Sequence, residues 1–299
     1  MRENFKEMFQ NELDVEVDFG PVMRFALVRE RPSIKQFVFV EGSTDKIFYE
    51  STNIKILSDN AYYFYRTLSD RYDKEEYKGK EAVFYSLKRI IDDVRLSKKI
   101  DKCKFIVDRD YEKIPKSKYS KLKASDYDKL TITKGHSMES YFFEDSNLKA
   151  ILKRVDLDVD EFLKVFDIFT AEMSYYYSLK AIVTENYKAG ANIKYNRKYN
   201  DSELFCFDFS KEKFWLGQDK IKEECLRMKR SVDRNLYLIK QAENLQKEIA
   251  SNRMMVRGHD AFSFLEQYIM QKTHRKIVFP NGHKSDMKLL IGSFNVEFY

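Results

Sequence analysis

The chain reads as an α/β protein, with a mainly parallel sheet flanked by helices in its first half and a mostly helical C-terminal region after it. Three observations predict this. Two short apolar runs, FVFV at 37–40 and FIV at 105–107, are rich in β-branched and aromatic residues and end abruptly in carboxylates, as buried strands do. Between them Val83, Leu87, Ile90, Ile91 and Val94 recur at helical spacing. Beyond residue 145 long helical patterns dominate and turn signals are few.

Taken in order, residues 1–34 read as a short amphipathic helix and an irregular lead-in containing Pro21 and Pro32. Residues 36–41 give the first strand. Ser43 or Thr44 can cap the helix that follows, which carries Asp45, Ile47, Phe48 and Tyr49. Residues 54–57 suggest a shorter strand, and the polar, tyrosine-rich stretch 59–78 a loop. A helix is expected from about Gly79 to Lys99 and a strand over 104–107. The resulting β-α-β-α-β order implies right-handed crossovers and parallel pairing, with ligands bound at the carboxyl ends of the strands.

A lysine- and serine-rich loop, 111–128, leads to a strand at 130–133. Lys134, Gly135 and His136 then run into SMESYFFE, with Glu139 in the first turn of a helix. Helices are expected over 148–155 and 160–179, and LFCFDF at 204–209 alternates as a strand does. The stretch 218–254 has the periodicity of one long amphipathic helix, whose apolar face would pack in the core or, alternatively, serve dimerisation or partner docking. At RGHD, Gly258 is expected to stop one helix and Asp260 to cap the next, 261–272. Apolar runs at 277–279 and 289–291 close the chain. The organisation is thus a sheet-bearing domain over 1–145 and a helical domain over 146–299.

Composition sets bounds on function. With 299 residues, 43% of them hydrophobic and 34% charged, the chain can bury a sizeable core. A net charge of +6 permits attraction to nucleic acid without demonstrating it. The three cysteines form no CxxC pair, which argues against a zinc site or disulfide framework and for a reducing compartment. The charged N-terminus lacks an apolar signal region and no apolar run approaches membrane-spanning length, so a cytoplasmic protein with no membrane association is expected.

The chemistry-bearing residues are acids at strand ends. Glu41 directly follows Val40, and Asp45 lies on the next helix. Asp108 and Asp110 flank Arg109, so in an extended segment both side chains leave on one face. Glu139 falls at the same sheet edge. Clustered carboxylates repel one another and are costly to bury, and a divalent cation offsets both effects. Hard oxygen ligands of this kind suit Mg²⁺ or Mn²⁺. Two other uses of a strand-end DxD, in aspartyl-phosphate phosphatases and in nucleotide-sugar transferases, leave Glu41 without a role. The first also requires Thr or Val where this chain has Glu112.

Taken together, EGSTDKIFYE, IVDRDYE and HSMESYFFE resemble the TOPRIM domain of the overcoming-lysogenization-defect (OLD) nucleases. They are most similar to stand-alone TOPRIM effectors paired with an ABC-type ATPase in anti-phage defence systems of the PARIS type. The resemblance covers residues 36–145 and touches RGHD at 257–260. It implies a metal-dependent nuclease in which Glu41, Asp45, Asp108, Asp110 and Glu139 hold Mg²⁺ or Mn²⁺. Glu41, Asp108, Asp110 and His259 would be catalytic, and Lys134, Arg109 and His136 are candidate cations for the scissile phosphate. It also implies a toxic effector, with tRNA the favoured substrate, DNA the alternative, and activity as a homodimer. The chain has no GxxxxGK[ST], so the ATPase would be a separate polypeptide. The competing reading is a non-catalytic module that binds nucleic acid or a partner. Topoisomerase-like strand transfer would need a nucleophilic tyrosine, and none stands in a recognisable context.

Overall fold

The computed structural model describes residues 17–18, 35–52, 57, 61–64, 68–70, 75–112, 122–188, 206–216, 218–233 and 235–274. Its centre is a four-stranded, wholly parallel sheet of β2 (Gln36–Phe39), β3 (Ala61–Phe64), β6 (Cys103–Val107) and β7 (Leu130–Ile132), in the order β3-β2-β6-β7. A smaller sheet joins β1 (Val17–Asp18), β4 (Leu68–Asp70) and β5 (Glu75–Tyr77). Helix α1 (Ser43–Ser51) follows β2, and α2 (Lys80–Asp92) precedes β6. From β2 the chain passes to its neighbour β3 and then returns to the other side of β2 as β6. The point between β2 and β6 is therefore the topological switch of the sheet, where a crevice opens at the strands' carboxyl ends.

Period-two alternation assigns the two sheet faces. Phe37, Phe39, Cys103, Phe105 and Val107 pack on one side with Ala82, Val83, Phe84, Leu87 and Ile90 of α2. Phe39 lies between Phe64 and Phe105, with ring centroids at 4.7 and 4.8 Å. Val38, Val40 and Ile106 face the other way, into a core shared with Phe48 and Tyr49 of α1 and with the helical region.

Helix α3 (Ala124–Tyr127) precedes β7 and packs on the α2 side, where Tyr127 meets Phe84. The helical region contains a 3₁₀ turn (Met138–Phe143), α4 (Asp145–Arg154), α5 (Val159–Lys188), α6 (Gln218–Val232), α7 (Leu236–Ser251) and α8 (Gly258–Thr273). Strands β8 (Cys206–Asp208) and β9 (Lys213–Leu216) form an antiparallel pair beside them. The core is continuous across residue 145: Val38 and Ile106 belong to the same cluster as Phe162, Phe166, Phe264 and Tyr268. The parallel sheet, the flanking helices and the helical C-terminal region are as the sequence predicts.

Several boundaries differ, for local reasons. The strand beside β2 lies at 61–64, inside the stretch read as a loop, while 53–56 fall outside the described residues. Tyrosines counted as polar in the sequence are strand formers here, and Tyr63 is buried. Helix α2 ends at Asp92, not near Lys99, because Asp93 Oδ1 accepts N–H bonds from Arg95 and Leu96 and turns the chain; Val94 is left 77% exposed. The 218–254 periodicity is shared by two helices. The first ends at Val232, and Asn235 caps α7 by accepting from the Tyr237 and Leu238 amides. Gly258 opens α8 and does not stop a helix. The expected N-terminal helix and the runs at 277–279 and 289–291 lie outside the described residues.

Candidate metal centre at the sheet switch point

The carboxyl ends of β2 and β6 are joined directly: Glu41 Oε1 accepts the Asp108 N–H at 2.8 Å. Asp108 Oδ1 in turn accepts the Met138 N–H at 3.0 Å, which ties the first turn after β7 to the same point. Asp110 does not continue an extended segment. Its φ of 51° puts it in the left-handed region, which aspartate tolerates better than most residues, and its N–H donates to the His136 carbonyl at 2.7 Å. Asp108 and Asp110 thus converge through a turn and not through strand alternation.

Burial and neighbouring carboxylates raise three of the acids. Burial, opposed by Lys80 and the Asp108 amide and reinforced by Asp110 and Asp45, pushes Glu41 up to about 8. Burial, followed by the facing Glu139, pushes Asp45 up to about 7. Asp108 is raised well above the usual carboxylate range by burial first, then by Glu41, Asp45, Glu139 and Asp110. Asp108 is therefore central. Glu41, Asp45, Glu139 and Asp110 all act on it, and Asp45 acts on Glu41 as well. The five acids named from the sequence come together, drawn from three segments of the chain, 41–45, 108–110 and the turn at 139.

The basic candidates divide. Arg109 is buried with its guanidinium turned to the helical region, donating to Glu248 Oε1 at 2.8 Å and to Met255 Sδ at 3.3 Å. It joins the two halves of the chain; a substrate phosphate would find it already engaged. Lys134 is exposed and its ammonium lies 3.5 Å from Glu144. His136 is buried against the Tyr111 ring, with Nε2 4.0 Å from Asp110 Oδ1. Burial, only partly opposed by Asp110 and Glu139, brings its pKa down to about 4, so at neutral pH it is a neutral imidazole and not the expected cation. His259 is 73% exposed at the start of α8, with Nδ1 3.7 Å from Glu139 Oε1.

Two glycines permit this assembly. A Cβ on Gly258 would meet Ser137 Oγ at 2.2 Å and Glu139 Cβ and Oε2 at 2.8 Å; one on Gly135 would meet Ser140 Cβ at 2.4 Å and the Met254 carbonyl at 2.6 Å. The RGHD segment can lie against Glu139 only because residue 258 lacks a side chain. Ser137 Oγ completes the contact by donating to Glu139 Oε2 at 2.7 Å.

Sequence reasoning missed Lys80. Its ammonium stands 2.5 Å from Asp110 Oδ2, at the first position of α2, and Gly79 before it has a φ of 55° and lies against Glu41. Burial lowers its basicity, but Asp110, Glu41 and Asp108 outweigh this and hold it protonated. No local signal marks it, because a lysine at a helix N-terminus goes only weakly against the helix dipole.

The donors are hard oxygens. Among the described residues Glu41 Oε2 and Asp108 Oδ2 accept no hydrogen bond. A bound divalent cation would oppose the burial and repulsion that raise Glu41, Asp45 and Asp108. In the structure as it stands, no three acidic, histidine or cysteine side chains among the described residues are in ligating geometry. No described helix is long and apolar enough to cross a membrane. Comparison of the chain with family models, curated proteins and solved structures finds no match.

Proposed function

We propose that the chain is a Mg²⁺- or Mn²⁺-dependent endonuclease that hydrolyses phosphodiester bonds. In this reading it acts as a toxic anti-phage effector, with tRNA the favoured substrate, DNA the alternative, and an ABC-type ATPase as its restraint. The observation that carries the reading is the convergence of Glu41, Asp45, Asp108, Asp110 and Glu139 at the switch point of a parallel sheet. The TOPRIM resemblance of the segments bearing them supplies the substrate class. A divalent ion, if held by these acids, would lower the pKa of water and offset charge on the phosphate.

The residues of the chain have separable tasks. The Glu41 bond to the Asp108 amide fixes the two strand ends at the spacing the cluster needs. Lys80 supplies a permanent positive charge beside Asp110. His259, exposed and beside Glu139, is positioned to exchange a proton with a substrate oxygen or with solvent. Self-association through the helical region belongs to the same proposal; Leu226, Leu236 and Tyr237 stand exposed there.

The test is cleavage of mixed tRNA and of plasmid DNA in Mg²⁺, Mn²⁺ or EDTA by the wild type, Glu41→Ala and Asp108→Ala, alone and with the ATPase encoded beside it. The reading expects metal-dependent cutting that each substitution lowers by about a hundredfold or more. Cutting that persists in both variants, or no cutting under any condition, would leave a non-catalytic binding module in its place.

A further inference from the structure

We propose that the amino-terminal edge of the parallel sheet is a docking surface for the phosphate backbone of a nucleic acid. The partner's class rests on the nuclease reading, but no ion is needed on the carboxylate cluster, which lies at the opposite edge. Lys35 immediately precedes β2, Lys102 immediately precedes β6 and Lys129 immediately precedes β7, and all three are exposed. The parallel register pairs Phe37 with Cys103 and Phe105 with Leu130; one residue back along each pair, Lys102 falls beside Gln36 and Lys104 beside Lys129. Neighbouring strands are about 4.8 Å apart, so these lysines form a row across three strand starts. The turn after α2 and the 3₁₀ segment Ser97–Lys102 add exposed Arg95 and Lys98 on the approach to β6.

The protein itself does little to answer these cations. Among the described residues no carboxylate is paired with Lys35, Arg95, Lys98 or Lys129. Exposed lysines elsewhere do find an acid, as Lys164 does in Glu212 at 2.9 Å. Asp93 is close in sequence, but its Oδ1 accepts the Arg95 and Leu96 amides. Like charges side by side on neighbouring strands are unfavourable, and a polyanion laid along the row relieves that repulsion. Cations strung over three strand starts and a connecting turn suit a backbone of repeating phosphates better than one small anion. The two edges are about 15 Å apart along β6. A nucleic acid gripped at the lysine edge can therefore reach the other edge without resting its phosphates on the acids there.

The experiment measures binding in EDTA, at several salt concentrations, of tRNA, of a DNA duplex of about 20 base pairs and of polyglutamate. The expected result is nucleic-acid binding by the wild type that weakens about tenfold or more in the triple variant Lys35→Gln, Lys98→Gln, Lys129→Gln. The slope of log affinity against log salt should become shallower by about two to three. A control triple variant, Lys229→Gln, Lys240→Gln, Lys247→Gln, removes exposed lysines of α6 and α7 and should bind as the wild type does. Binding of tRNA, of the duplex or of both supports the proposal and identifies the source of the backbone. No nucleic-acid binding by the wild type, a loss no larger in the edge variant than in the control, or polyglutamate bound as tightly as nucleic acid would overturn it. The nuclease reading fails separately: a wild type that binds through this edge and cuts nothing overturns that reading alone. A wild type that cuts, with an edge variant that binds unchanged, overturns the edge alone.

Discussion

Raising the pH of the metal-free protein from 6.5 to 8 should destabilise it by about 2 kcal/mol, because Glu41 gives up its proton later when folded than when unfolded. Burial is the main cause of its high pKa, about 8 in the fold against 4.5 ordinarily. Below pH 4.5 both states carry the proton and there is no penalty. Between 4.5 and 8 the folded state holds a proton that the unfolded state has lost, so stability falls as pH rises, by about 1.4 kcal/mol per pH unit for one proton. Over 1.5 units this comes to about 2 kcal/mol, and Asp45 and Asp108, also raised, act with the same sign. His136 has the opposite sign: lowered to about 4, it costs stability below pH 6.5 and is silent above it. The window from 6.5 to 8 therefore isolates the acids. Urea unfolding in EDTA at several pH values reads the slope. Saturating Mn²⁺ should flatten it, and Glu41→Gln, which can still accept the Asp108 amide, should reduce it by about one proton. Metal-free stability that is flat or rises across this window would refute the reasoning.

Other outcomes follow from the packing. Gly258→Ala should destabilise the protein by about 1–3 kcal/mol and impair cleavage, because its Cβ would collide with Ser137 and Glu139; an unchanged melting temperature would show that α8 can shift away freely. Glu248→Ala removes a carboxylate that pairs with the buried Arg109 guanidinium and should cost about 2 kcal/mol in urea unfolding, less than a fully buried pair because Glu248 is 38% exposed. A loss below about 0.5 kcal/mol would mean that this pair does not couple the sheet to the helical region. Phe39→Ala removes a ring stacked between two others and should cost about 3–5 kcal/mol by the same assay.

The fold class was legible because β2, β6 and α2 carry strong periodic signals: Phe37 and Phe39 on one face, Val38 and Val40 on the other, and Val83, Leu87 and Ile90 at helical steps. The five acids were legible because each sits immediately beyond a strand or in the first turn after one. Strand β3 was not, since AYYF has no aliphatic residue and its tyrosines count as polar until pairing with β2 buries Tyr63. The break between α6 and α7 was hidden because Val232 and Leu236 keep a four-residue step across it, and Asn235, the cap of α7, is a weak local signal. Lys80 and the fate of Arg109 are tertiary facts. One depends on Gly79 bringing α2 against Glu41, the other on Glu248 arriving from a helix far along the chain.

The central claim is that carboxylates at the ends of β2 and β6 and their neighbours form one divalent-cation site. Titration of the purified chain with Mn²⁺, followed by calorimetry in parallel for the wild type and Asp108→Asn, tests it most directly. The account predicts saturable, EDTA-reversible binding to the wild type that weakens at least about tenfold in Asp108→Asn, since Asp108 is the acid all the others surround. A wild type that binds no Mn²⁺, or an Asp108→Asn variant that binds it equally well, would contradict it.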